Sequence, residues 1–307
     1  MAPLRRIAGV ALLLWSAATV VFFLIHMIPG DPAAAMLGEG AAPGDVESLR
    51  HDLGLDQPLL TQYGAWLSGL ARGDLGRSLQ TRRPVTGEIR RAVPATAALA
   101  AAAFAAALAV AVPSGVLGAL LRGKPADKAM RLLSIVGVST PNYVSGPVLV
   151  LFFSVGLGWL PVSGRDAPGA IVLPAVTLGL ALAALLSRMI RASFAEELSK
   201  PYVLAAEARG EGRVRSALRH AARNALPPVL VVAGLQIGSL LTGAVVTETI
   251  FSWPGVGRLL IQSIQRRDYP TVQGCVLFIA SVYVVVNALV DAAAARLDPR
   301  VAARRAA

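Results

Sequence analysis

The chain has 307 residues, 55% hydrophobic and 15% charged, with a mean hydropathy of +0.62; soluble domains carry about 25% charged residues, so a soluble globular protein is excluded. A formal net charge of +11 would suggest nucleic-acid binding in a soluble protein, but no motif of the usual nucleic-acid readers is present, and the excess fits the Lys- and Arg-rich cytoplasmic loops of a membrane protein. The single cysteine, Cys275, excludes an intramolecular disulfide and a cysteine-based metal site.

The first apolar run goes from Ile7 to Ile28, after Arg5 and Arg6. It is longer than the roughly 7–15 residues of a signal-peptide core, so a retained span is expected rather than cleavage near Ala33-Ala34-Ala35. A long segment, Gly30–Val93, follows. Within it Leu59, Leu60, Tyr63, Leu67 and Leu70 recur at helical spacing and predict an amphipathic helix, packed on the bundle mouth or at the headgroup layer. Later runs cover Thr96–Leu121, Leu132–Leu160, Ala170–Ile190, Pro228–Ile250 and Thr271–Ala295. Each is near or above the ~20 residues a spanning helix needs, so the expectation is an all-α membrane protein with about six transmembrane helices. Pro113, Pro141, Pro147 and Pro174 interrupt these runs, which a spanning helix tolerates where neighbours satisfy the freed carbonyls.

Basic residues orient the bundle. Arg5 and Arg6, the group Arg122, Lys124, Lys128 and Arg131, the arginines between Arg188 and Arg223, and the terminal Arg296, Arg300, Arg304 and Arg305 fall on one side. The positive-inside rule makes that side, with both termini, cytoplasmic. Gly30–Val93 then lies outside despite its arginines, near the length at which loop charge ceases to decide orientation. The expected organisation is a first transmembrane helix plus external loop over 1–93, and a core of five transmembrane helices over 94–296. A cytoplasmic loop over 191–226 interrupts that core, and 297–307 form a cytoplasmic tail.

That loop is the most informative stretch. Tyr202–Arg209 are mostly helix formers. Gly210 and Gly212 break the helix. Beyond them Arg215, Arg219 and Arg223 are four apart and share a face, beside an apolar stripe of Val214, Leu218, Ala221 and Ala225. Pro227 and Pro228 suit the first turn of the next span. The result is a short helix, a glycine bend and a basic amphipathic helix at the cytoplasmic face. It suits either a loop resting on anionic lipid or a docking surface for a cytoplasmic partner.

Polar residues inside spans are pathway candidates. Glu248, near the outer end of the fifth span, suits either a gate or a cap at a helix junction. Asn142 follows Pro141 and either faces a cavity or satisfies kinked backbone. Asn287 and Asp291 share a face near the inner end of the last span, where pairing of Asp291 with Arg296 is favoured over solute contact; His26 is expected at the interface. Gly118–Pro125 mimics a phosphate-binding loop but places Pro125 where Ser or Thr must hold Mg²⁺. His26, His51 and His220 form no His-Glu-x-x-His pair.

Glu207-Ala208-x-Gly210, followed by Leu226-Pro227, resembles the "EAA" loop of type I ABC importer permeases. Over almost its whole length the chain resembles the B-type permease of the dipeptide, oligopeptide and nickel transporters. The blocks that carry this are Ile28–Pro32, Leu53–Pro58 with Gln62-Tyr63, Gly73–Ser78, Ser139–Tyr143, Val246–Phe251 with Pro254–Gly257, Asp268–Pro270, Val272–Gly274 and Leu297–Arg300. There is one departure. The family usually carries Ala-Lys-Gly-Leu at the bend, and this chain has Ala208-Arg209-Gly210-Glu211, a charge where an apolar contact is expected.

The resemblance implies the type I ABC importer permease fold in a bacterial inner cell membrane, with no catalytic, cofactor-binding or metal-binding residues in the chain. It implies a permease subunit of an ATP-driven importer of di- or oligopeptides, forming half of the pathway by alternating access. The implied partners are a second, different permease, two nucleotide-binding subunits holding ATP and Mg, an external substrate-binding protein and membrane lipid, without nucleic acid. Glu207, Ala208 and Gly210 would couple to the ATPase. The alternative, an ATP-independent secondary transporter, would explain the spans but not the Glu-Ala-x-Gly loop.

Overall fold

The computed structural model describes residues 2–26, 42–52 and 54–297, and among them regular structure is helical apart from one isolated bridge between Arg77 and Pro84. In chain order the helices are α1 (Ala2–His26), α2 (Pro43–Asp52), α3 (Leu59–Ala71), α4 (Val85–Leu120), α5 (Pro125–Ser139) and α6 (Asn142–Leu149), the last continuing as a π-helical stretch, Val150–Gly156. Then come α7 (Val172–Glu197), α8 (Pro201–Ala208), α9 (Arg213–Ser216), a π-turn (Ala217–Ala221), α10 (Ala222–Ile250), α11 (Val256–Gln265) and α12 (Tyr269–Leu297). The expected block Ile28–Pro32 and the tail from Asp298 lie outside the described residues, as do the side chains of His26, Asp291 and Arg296.

Among the described residues four helical stretches are long and apolar enough to cross a membrane: Val85–Leu120, Val172–Glu197, Arg213–Ile250 and Tyr269–Val290. The expected third span is a bent pair, Pro125–Ser139 and Asn142–Gly156, meeting at 109°, which makes a fifth if counted as one crossing. The break has a local cause. Thr140 precedes a proline and is driven to ψ 116°, out of the helical region. In α1 the described apolar stretch is Gly9–Phe23, short of a full span, and the expected run continued to Ile28, beyond the described residues. Pro227 and Pro228 lie inside α10 rather than in its first turn, because the alanine-rich residues before them already extend the helix.

The chain divides into two compact units, the first formed by Met1–Pro94 and Gly255–Val282. Here α3 is the expected amphipathic helix, and its aromatic face rests on α1. The Tyr63 hydroxyl lies 2.8 Å from Thr19 Oγ1, and the Tyr63 and Trp66 rings sit 5.3 and 5.5 Å from Phe22. Leu59 and Leu60, expected on the same stripe, remain exposed. A small core joins Val85, Ile89 and Ala92 to Val256 and Cys275. Gly274 permits this approach: a Cβ there would come within 2.5 Å of Val85 Cγ1. At the start of α12 the buried Asp268 accepts hydrogen bonds from Ser78 Oγ (2.6 Å), the Leu79 amide (3.0 Å) and Thr271 Oγ1 (2.9 Å). Two sequence blocks that carried the resemblance, Gly73–Ser78 and Asp268–Pro270, therefore meet in one clamp.

The second unit takes Ala95–Pro254 and Tyr283–Ala307. Its core is a seam of small residues. Along α4, Ala95, Leu99, Ala103, Ala107, Ala111, Gly115 and Ala119 recur every fourth position and are all buried. On α7, Ala175, Gly179 and Ala183 face inward in the same period. Small residues let the backbones approach, which drives helix association where lipid removes the hydrophobic term. A Cβ on Gly179 would sit 2.6 Å from the Ala103 carbonyl oxygen, and one on Gly115 would sit 2.7 Å from Ile190. The hydroxyls of Ser114 and Ser187 add a 2.9 Å interhelical bond. α5 is tied to α7 by a bidentate ion pair, Asp127 with Arg191, at 2.5 and 2.8 Å.

Candidate functional site

The segment between α7 and α10 is built as two anchored ends around an exposed bend. At the first end Glu197, the last residue of α7, pairs with Lys200 and accepts a 2.5 Å hydrogen bond from the Tyr202 hydroxyl. Burial, and then this bond, raise the Tyr202 hydroxyl above the ordinary phenol range, so it stays protonated and donates. Asn224 Nδ2 in turn donates to Tyr202 Oη at 3.0 Å.

From there α8 runs with Pro201 at its first position, where the missing N–H costs least. Val203 and Ala206 are buried on its inner side. Tyr202, Leu204, Ala205 and Ala208 are exposed on the other, and Glu207 is half-buried. Gly210 then adopts φ +95°. Its N–H bonds the Glu207 carbonyl (2.9 Å) and the Glu211 N–H bonds the Ala206 carbonyl (3.2 Å), a Schellman cap that satisfies the end of α8. A Cβ on Gly210 would meet nothing within 4 Å. Within this chain the glycine is therefore needed for its backbone angle, not for space.

Beyond the bend the predicted stripes behave differently from each other. Arg215, Arg219 and Arg223 are all exposed. The apolar stripe splits: Val214 and Leu218 are 59% and 61% exposed, whereas Ala221 and Ala225 are fully buried. The cause is the π-turn Ala217–Ala221, whose wider winding rotates what precedes it relative to α10. Val214 and Leu218 line a shallow surface cleft with Gly212, Arg213, Arg215 and Arg219. The bend thus presents exposed apolar side chains rimmed by arginines. Glu211 is turned inward, with its carboxylate 2.8 Å from His220 Nε2 and 3.7 Å from Arg219 Nη1.

The other candidates lie elsewhere in the second unit. Glu248 is wholly buried near the end of α10 and accepts a 2.6 Å hydrogen bond from Thr96 Oγ1, while its carbonyl takes the Trp253 amide at 2.8 Å. Asn142 is the half-buried first residue of α6, at the 109° break. Its Nδ2 lies 3.5 Å from where a Cβ on Gly243 would stand. The structure brings Glu207, Ala208 and Gly210 together in one bend but does not bring Glu248 or Asn142 to it. Sequence reading missed Tyr202, Asn224 and His220 as the anchors of the bend, because each acts through a partner outside the i, i+4 spacing.

Comparison with known proteins covers nearly the whole chain. Residues 111–303 match the model of the binding-protein-dependent transport system inner membrane component family, and residues 3–100 match that of its N-terminal region. The chain is 38% identical over 298 residues to the glutathione transport system permease protein GsiC of Escherichia coli strains K12 and CFT073, covering 97% of each chain. The corresponding protein of Shigella boydii is 37% identical over the same length. In fold the chain is similar to an inward-facing structure of the MetNI methionine ABC transporter, with a TM-score of 0.56 and 20% identity, over 69% of this chain and 95% of that one.

Proposed function

The chain belongs to the family of binding-protein-dependent transport system inner membrane components, and from that premise we propose how its residues serve transport. It is the permease of an ABC importer and a multi-pass protein of the bacterial inner membrane. The family is one of transport permeases rather than enzymes, and membership implies ATPase and substrate-binding partners and a second permease. On our reading the solute is a short peptide or peptide-like molecule, a choice supported by the 38% identity to the glutathione permeases. The second permease is a different chain, and together the two form the pathway, each supplying half. Two nucleotide-binding subunits hold ATP and Mg at the cytoplasmic face, where both termini also lie. Their closure shifts the permeases between outward- and inward-open states, for which ATP-bound and ATP-free subunits have different affinity.

The observation that carries this reading is the bend itself. Glu207, Ala208 and Gly210 sit on a capped helix end whose inner side is packed, while Leu204, Val214 and Leu218 are left exposed beside it. We assign the docking of the ATPase to this surface, and assign Asn142 and Glu248 to the pathway. Gly210→Asp, which adds strain and a charge at the bend, is expected to abolish ATP-dependent uptake while the protein still inserts in the membrane. Normal uptake by that variant, or uptake driven by a proton gradient without ATP, would overturn the assignment. The second outcome would instead favour a secondary transporter.

A further inference from the structure

The charged residue that departs from the family pattern has a partner within the chain. Glu211 lies between Gly210, at φ +95°, and Gly212. Two glycines around one residue would make a soft joint, since neither backbone is restrained by a side chain. The joint is instead closed by the Glu211 carboxylate, 2.8 Å from His220 Nε2 and 3.7 Å from Arg219 Nη1. Both partners belong to the π-turn at the base of α10. The opposite end of α8 is tied to the same region, through Asn224 to Tyr202 at 3.0 Å and from Tyr202 to Glu197 at 2.5 Å. So α8 is fastened at both ends to residues 219–224, one tie at the start of the helix and one just past its cap.

We propose that Glu211 is a positioning residue. Its clasp with His220 and Arg219 makes α8, the glycine bend and the base of α10 a single stiff piece. A displacement imposed on α8 then reaches α10 instead of being absorbed by rotation about Gly210 and Gly212. This rests on the reading of α8 as the ATPase docking helix. The clasped side chains are 26% and 31% exposed for Glu211 and His220, so solvent screens the pair and its contribution to global stability is small. The effect is on transmission of movement, not on folding.

The test uses the complete importer, with both permeases, the ATPase subunits and the binding protein, reconstituted in proteoliposomes. ATP hydrolysed and a radiolabelled short peptide imported are measured together. Glu211→Leu removes both contacts; it should keep the ATPase subunits bound and the thermal midpoint unchanged, yet lower the ratio of peptide imported to ATP hydrolysed by about fivefold or more. The exchange Glu211→His with His220→Glu rebuilds the pair in reverse and should restore most of that ratio. An unchanged ratio in Glu211→Leu, or no recovery in the exchange, overturns the proposal. Loss of the ATPase subunits by Glu211→Leu alone also overturns it, since Glu211 would then act in docking. If the unaltered importer retains no ATPase subunits at all, the docking assignment itself falls, which is a different readout from the ratio.

Discussion

Ser78 donates a 2.6 Å hydrogen bond to Asp268, 190 positions further along the chain, and both side chains are buried. The same carboxylate takes the Leu79 amide and the Thr271 hydroxyl. Asp268→Ala leaves three donors of a buried carboxylate without an acceptor, whereas Ser78→Ala removes one bond from a carboxylate that keeps two, and with it the acceptor of the half-buried Thr81 amide (3.0 Å). Ser78→Ala is therefore expected to cost about 1.5–3 kcal/mol, the range for a hydrogen bond to a charged group, and Asp268→Ala more. Thermal unfolding of the detergent-purified protein measures both; equal midpoints for the two variants would contradict the ordering.

Two glycines of helical segments should respond to alanine with opposite sign. At Gly179 the new Cβ meets the Ala103 carbonyl at 2.6 Å, a backbone atom that cannot turn away. Overpacking of this kind costs about 1–3 kcal/mol. At Gly87, in the first turn of α4, a Cβ meets nothing within 4 Å, and alanine should stabilise by about 0.5–1 kcal/mol. A melting comparison in one detergent decides the matter, and destabilisation by both would show that space is not what separates them.

At Gly210 the constraint is angular, because φ is +95° and the surroundings are open. Asn enters the left-handed region more readily than other residues, and β-branched residues resist it most. Uptake should fall in the order Gly, Asn, Ala, Val, with a backbone cost of about 1–2 kcal/mol for Ala. A transport assay in which Val matches Asn would remove backbone angle as the reason for the glycine.

Thr96 and Glu248 pair at 2.6 Å inside the second unit. Thr96→Val keeps the shape and deletes this hydrogen bond to a buried carboxylate, which should cost about 1.5–3 kcal/mol. Glu248→Gln keeps an acceptor for Thr96 and removes only the charge. If the glutamate serves the pathway through its ionisable group, the glutamine protein should still insert in the membrane but be impaired in uptake. Full uptake by it would confine Glu248 to packing.

The long apolar runs and the glycine bend were legible in the sequence because each depends on local composition. What escaped was direction and partnership. Leu132–Leu160 reads as one apolar run, since hydropathy is blind to the 109° turn that Thr140 and Pro141 impose. α4 begins at Val85 rather than at Thr96 because Glu88, Arg90 and Arg91 lower the hydropathy of its first turns without harming the helix. The Val214, Leu218, Ala221, Ala225 stripe assumed uniform winding, and the π-turn divides it into two exposed and two buried residues. Glu211 reads as a bare departure from a motif until His220, nine positions away, is seen beside it.

The clamp at Asp268 also sets an order of events during synthesis. Ser78 and the Leu79 amide emerge early, and their acceptor is made 190 residues after Ser78. Pairings of such separation close late in folding. The first unit is thus completed by the last span, and a chain halted before Asp268 lacks the acceptor for Ser78 and the Leu79 amide. Halted at 254, it should be degraded in the membrane, while the full chain persists in the same pulse-chase. The clamp can therefore close only after the chain has been made through Asp268 and Thr271.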